Sequence, residues 1–160
     1  MFAHTAALVN PTEIETEDTV AASLEMADAS LACLAVTTGS STEISRHRFC
    51  FSHLTAESNT QPYTNTSDPW TFTGDSPELQ RRINEALSRF SPQPEGYVGQ
   101  FARFHAAVQE GAEPPVTIAD ARAALELITA LYHTAETGRP VILPISEDHS
   151  KYQGWQPQTG

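Results

Sequence analysis

The sequence predicts an α+β fold, a predominantly antiparallel open β-sheet with helices packed on one face. Three observations predict it. The N-terminal third alternates in apolar and small polar residues with a period of two. The second half holds three segments of helical periodicity with their own start and stop residues. Between them, Leu31 to Thr38 is apolar on both faces, as expected of a strand covered from both sides.

Phe2 to Val9 is read as a short first strand. Val20, Ala22, Leu24 and Met26 alternate with Thr19, Ala21, Ser23 and Glu25, which is strand periodicity. After Ala27-Asp28-Ala29-Ser30, Leu31 to Thr38 follows as a second hairpin arm. Its faces are Leu31, Cys33, Ala35 and Ala32, Leu34, Val36. Glu43 to Phe51 forms a further strand, with Phe49 and Phe51 on one side and Arg46 and Arg48 on the other.

Ser76 and Pro77 open the first helix, because proline suits the first helical position and serine the cap. Its inner stripe is Leu79, Ile83, Ala86, Leu87 and Phe90. Pro92 and Pro94 separate it from a helix bearing Tyr97, Phe101, Phe104 and Val108, which stops at Gly111. The third helix starts at Thr117, with Asp120 three residues on in a capping-box variant. Ala121, Leu125, Ile128, Tyr132 and Ala135 recur on one face. Gly138 suits the left-handed position after the helix, and Pro140 prevents its continuation. Val141 to Ile145 is read as a closing strand.

A chain of 160 residues is long enough for one domain with a real core. The net charge of −11 argues against nucleic acid, whose phosphates would repel it. The acids cluster early: Glu13, Glu15, Glu17, Asp18, Glu25 and Asp28 all precede the first basic residue, Arg46. Without a calcium-loop pattern they read as a solvated loop and strand edge. No apolar run is long enough for a membrane span, and no signal peptide is apparent, so a cytoplasmic protein is expected.

Taken together, Glu17 to Ser40, Arg48 to Tyr63 and the cassette Gly99 to Pro144 resemble the C-terminal domain of the Gfo/Idh/MocA oxidoreductases. That family includes glucose–fructose oxidoreductase and inositol dehydrogenase. The resemblance runs from about Ala3 to Trp155. The tail Asp148 to Trp155 is similar to endings in one branch of the family. Residues 1–146 are then one α+β domain and 147–160 a C-terminal tail.

The resemblance implies a substrate-side and oligomerisation domain of an NAD(P)-dependent oxidoreductase acting on sugar- or polyol-like substrates. Full-length relatives carry NAD or NADP on an N-terminal Rossmann domain. Here no GxGxxG turn is present, and the only lysine, Lys151, lies in no Glu-Lys-Pro segment. The family's paired Asp and His belong on a helix that would precede Phe2. No catalytic or cofactor-binding residue is therefore carried over, and the chain is expected to be inactive alone and to hold no cofactor. It reads as a fragment, or as a reading frame that begins late. The alternative is a free-standing interaction or ligand-binding module of the same fold.

Within that frame His53 to Thr73 is the candidate for function. It is rich in Thr, Ser and Asn, and Tyr63, Asn65 and Trp70 supply the hydrogen-bonding and stacking groups a polyol needs. The competing reading is a structured crossover with Trp70 packed inward. Leu34, Val36, Arg46 and Arg48 are the expected contacts of a homodimer or larger assembly through the open sheet face. Relatives commonly place glycine after the aspartate of the first hairpin. Ala29 is therefore expected at positive φ in a two-residue primed turn. Cys33 and Cys50 read as small buried apolar residues. The six histidines show no metal-ligand spacing and read as ordinary surface or hydrogen-bonded groups.

Overall fold

The computed structural model describes residues 1–9 and 16–154. Glu13, Glu15 and Trp155 lie outside them. Among the described residues, six strands and three helices follow in the order β1 Phe2–Ala6, β2 Thr19–Glu25, β3 Leu31–Thr37, β4 Arg48–Cys50, β5 Leu54–Glu57, β6 Thr71–Gly74, α1 Pro77–Ser88, α2 Gly96–Glu110 and α3 Ile118–Thr137. The fold is α+β and all strand pairing is antiparallel. The strands divide into two three-stranded sheets, β1-β2-β3 and β4-β5-β6. The chain forms two compact units, Met1–Ser40 with Val116–Gly160, and Ser41–Pro115.

In the first unit the register pairs Ala3 with Ala22 and Ala22 with Leu34, so these three share a face. Ala3 and Ala22 are buried there, beneath α3, which packs on β1. Small side chains on both partners allow the close approach. On α3 the buried residues are Thr129, Ala130 and Thr134. The expected stripe is thus displaced: Leu125 and Ile128 stay exposed while these smaller residues are buried. Ala130 clusters with Val141 and Ile145, and Met1 and Tyr152 close over them.

Val141–Ile145 forms no strand. Val141 exchanges two hydrogen bonds with Met1, both 3.0 Å, and there the pairing ends. Pro140 and Pro144 lack N–H donors and cannot extend a ladder.

The first hairpin also departs from expectation. The Ala29 N–H bonds to Met26 C=O and the Met26 N–H to Ser30 C=O, both 2.9 Å. Ala29 alone is at positive φ, 65°. This is a β-turn followed by a left-handed bulge residue, the three-residue alternative to a primed turn. Asp28 organises it, accepting from the Ser30 N–H at 3.0 Å and its hydroxyl at 2.7 Å. Those bonds favour the carboxylate and lower the Asp28 pKa.

Asp18 is not a solvated acid. It is buried, and its carboxylate accepts from the Leu8 N–H at 2.9 and 3.1 Å, the Val9 N–H at 2.7 Å and the Thr19 hydroxyl at 2.9 Å. The strand β3 is likewise not covered on both faces. Leu31, Leu34 and Val36 are exposed, at 80, 40 and 64 %. Cys33 and Cys50 are free and exposed rather than buried.

In the second unit β4 is shorter than the expected Glu43 to Phe51, and β5 and β6 arise within the expected loop. Both are four-residue strands built largely of polar residues. Gln80 secures β6 to α1: its carbonyl accepts from the Gly74 N–H at 2.9 Å and its amide donates to Phe72 C=O at 3.2 Å. Helix α1 starts as expected, with the Ser76 hydroxyl accepting from the Leu79 N–H and Pro77 at the first helical position. Leu79 and Ile83 of its expected stripe are half-buried, whereas Leu87 and Phe90 are exposed. The full capping box at Thr117 and Asp120 forms on α3, and Gly111 and Gly138 end α2 and α3 in the left-handed conformation.

Candidate functional site

The candidate loop runs from Ser58 to Trp70, between β5 and β6, and its own polar side chains fold it. The Asn59 amide donates to Ser67 C=O at 2.7 Å and to Thr64 C=O at 3.3 Å, while its carbonyl accepts from the Gln61 N–H at 2.8 Å. The Ser67 N–H bonds to Thr64 C=O at 3.0 Å. The Trp70 indole N–H donates to Thr66 C=O at 3.0 Å. One asparagine thus braces both arms, through the carbonyls of Thr64 and Ser67 and the Gln61 N–H.

Tyr63 sits at this tip. It is 91 % exposed, and its φ of 63° is a left-handed conformation that costs a non-glycine residue about 1 kcal/mol. A braced loop therefore holds an aromatic ring in solvent at a conformational cost. Asn65 has a different role: it is buried, and its amide nitrogen lies 2.7 Å from His47 Nδ1. Donation from the amide leaves Nδ1 as the acceptor, which places the proton of neutral His47 on Nε2. Trp70 is half-buried and stacks between Phe49 at 6.2 Å and Phe72 at 6.4 Å. The register puts Phe49, Ala56 and Phe72 on one face, so the three rings cover the buried Ala56. Of the three loop residues expected to meet a ligand, Tyr63 alone presents its side chain openly.

A further pair was not singled out in the sequence. His53 Nδ1 lies 2.6 Å from Asp75 Oδ2 at the end of the β5–β6 ribbon, where Asp75 N–H also bonds His53 C=O at 3.0 Å. The two residues are 22 apart in sequence and meet only once β5 and β6 pair. Both are well exposed, so this contact contributes little to stability.

The expected interface residues divide between the units. The register sets Leu34 and Val36 not on the expected open face but on that of Ala22, the face beneath α3, where both nonetheless stay exposed. On β3 the opposite face carries Leu31, Cys33 and Ala35. Arg46 pairs with Glu57 of its own unit, Nη1 to Oε1 at 3.4 Å, and Arg48 stands opposite Glu57 in the ladder. Among the described residues no group of three His, Cys, Asp or Glu side chains is placed to hold a metal ion. No described helix is long and apolar enough to cross a membrane.

Fold and site together define an α+β protein of antiparallel sheets with an internally braced aromatic loop. Compared with family models, curated proteins and solved structures, the chain matches none of them.

Proposed function

We propose that this chain is the substrate-side and oligomerisation domain of an NAD(P)-dependent oxidoreductase of the Gfo/Idh/MocA type, acting on a sugar- or polyol-like substrate. The observation that carries the reading is the Asn59-braced loop that holds Tyr63 outward at positive φ. An aromatic ring held out in solvent by a braced loop, next to Thr64 in sequence, offers an apolar face for ring C–H groups and a polar neighbour for hydroxyls. The dinucleotide belongs to a Rossmann domain that this chain does not itself supply. Leu34 and Val36, exposed on one face of β3, support association with a second copy.

Amide and aromatic NMR spectra of the chain titrated with myo-inositol and with glucose test the site. Shifts confined to residues 59–70 and abolished by Tyr63→Ala are expected. Saturable shifts elsewhere, unaffected by Tyr63→Ala, or none up to tens of millimolar, overturn the sugar-site reading. Calorimetric titration with NADH and NADPH is expected to give no binding, and micromolar affinity for either refutes the assignment of cofactor binding to another domain. Light scattering after size exclusion is expected to give at least a dimer. A monomer at tens of micromolar refutes the assembly.

A further inference from the structure

The segment after α3 returns along that helix and is fastened to it by three contacts. His149 meets His133 ring to ring, with centroids 4.5 Å apart and planes at 64°. Lys151 Nζ lies 2.9 Å from the Glu136 carboxylate. Arg122 stands over the Tyr152 ring at 5.9 Å. Tyr152 also packs against the cluster of Ala130, Val141 and Ile145. The tail's own turns, His149 N–H to Ser146 C=O at 3.0 Å and Tyr152 N–H to His149 C=O at 2.8 Å, set the histidine between them.

The histidine contact is poised on its protonation. His149 Nδ1 accepts the Lys151 N–H at 3.1 Å, so neutral His149 carries its proton on Nε2. That Nε2 is buried without an acceptor, and His133 Nδ1 is buried without a donor. A proton on His133 creates a cation in a partly buried site beside His149 and Lys151. The charged and titratable groups around His133 are His149 and Lys151 on the tail and Glu136 on its own helix. Glu136 already pairs with Lys151, and Glu17, from the chain entering β2, is engaged by the Tyr132 hydroxyl.

We propose that the His133–His149 contact is a proton-operated latch, which holds Glu147–Gly154 against α3 when His133 is neutral and releases it when His133 is protonated. Burial first, and His149 second, push the His133 pKa below its ordinary value. The sign follows. The released state binds protons more readily than the latched one, so the latch is complete above the ordinary histidine range. It weakens as the pH falls through that range.

Amide hydrogen exchange of Lys151 and Tyr152 in the full chain, corrected for intrinsic rates, reads the latch directly. Protection is expected to drop at least about threefold between pH 7.5 and 5.5, while the β2 amides stay protected. In His149→Asn the side-chain oxygen replaces Nδ1 as acceptor and does not titrate, and His133→Gln removes the second ring. The double variant is expected to keep its tail protection through pH 5.5. Ring-proton NMR supplies a readout that needs no variant: His133 is expected to titrate below the ordinary histidine midpoint. Unchanged wild-type protection, the same acid loss in a folded double variant, or a His133 midpoint at or above the ordinary value each overturn the latch.

Discussion

Replacing Asp18 by alanine tests the reading that one buried carboxylate pins the chain between β1 and β2. Its oxygens take two backbone N–H groups and one hydroxyl, and the residue is only 6 % exposed. An N–H left without a partner costs about 1–3 kcal/mol when buried. Leu8 and Val9 are themselves largely exposed, so water recovers part of that for each, and the low end applies. Two such donors and the lost Thr19 bond give a destabilisation of about 2–3 kcal/mol. For a chain of this length that lowers the melting temperature by roughly 4–12 °C. Asp18→Asn keeps one acceptor oxygen and should fall between alanine and wild type. Glu25→Ala, at an exposed strand position, should stay within about 0.5 kcal/mol. Urea unfolding followed by far-UV circular dichroism measures all three. An Asp18→Ala midpoint as close to wild type as that of Glu25→Ala refutes the reasoning, because the N–H groups would then be satisfied without the carboxylate.

Three further outcomes are expected. Ala29→Gly relieves a left-handed alanine and should raise stability by about 0.5–1 kcal/mol, the relief being partly offset by the freer unfolded chain; an unchanged or lower urea midpoint counts against it. The Tyr132 hydroxyl donates to Glu17, and that bond, with burial, pushes the tyrosine pKa up to about 12. The folded state therefore holds this proton longer than the unfolded one, and the stability it contributes, full below about pH 10, is lost as the pH rises through about 12. Ultraviolet titration at the phenolate band checks this: one late-ionising tyrosine should vanish in Tyr132→Phe. Gln80→Ala removes the amide that ties β6 to α1 and should cost about 1–2 kcal/mol, with the Gly74 amide losing exchange protection first.

The helices were legible because their ends are local chemistry. Ser76-Pro77, Thr117 with Asp120, and the terminal glycines Gly111 and Gly138 each act within a few residues of their position. What the helices meet was less legible. A periodicity rule favours the largest apolar residues and so selects Leu125 and Ile128, whereas the buried positions are Thr129, Ala130 and Thr134, with Ala130 packed on Val141 and Ile145. The strands β5 and β6 were absorbed into a polar loop because Leu54–Glu57 and Thr71–Gly74 carry one large apolar residue apiece. Their pairing rests on main-chain bonds and on Trp70 between Phe49 and Phe72. The apolar run Val141 to Ile145 misled in the opposite sense, since Pro140 before it and Pro144 within it lack the N–H groups that a ladder needs. At the candidate site the loop was found from composition, but not the division of labour within it. Nothing local separates the outward Tyr63 from Asn65, whose partner His47 lies on the far side of β5. The histidine pair of α3 and the tail is 16 residues apart and forms only when the chain doubles back.

The first unit is assembled from both ends of the described chain, with Ser41–Pro115 inserted between β3 and α3. On a ribosome the first sheet emerges with Ala3 and Ala22 uncovered, and the helix that shields them comes only after the whole insertion has been made. At the usual pace of synthesis that interval is roughly 4–15 s, long against the formation of a hairpin. During it β3, a run without a charged residue or a proline from Leu31 to Thr37, has neither helix nor charge to deter pairing with a neighbouring nascent chain. Yield on expression should then depend on how fast translation crosses Ser41–Pro115. Slower codons in that stretch should send more of the product into aggregates, with the folded protein itself unchanged.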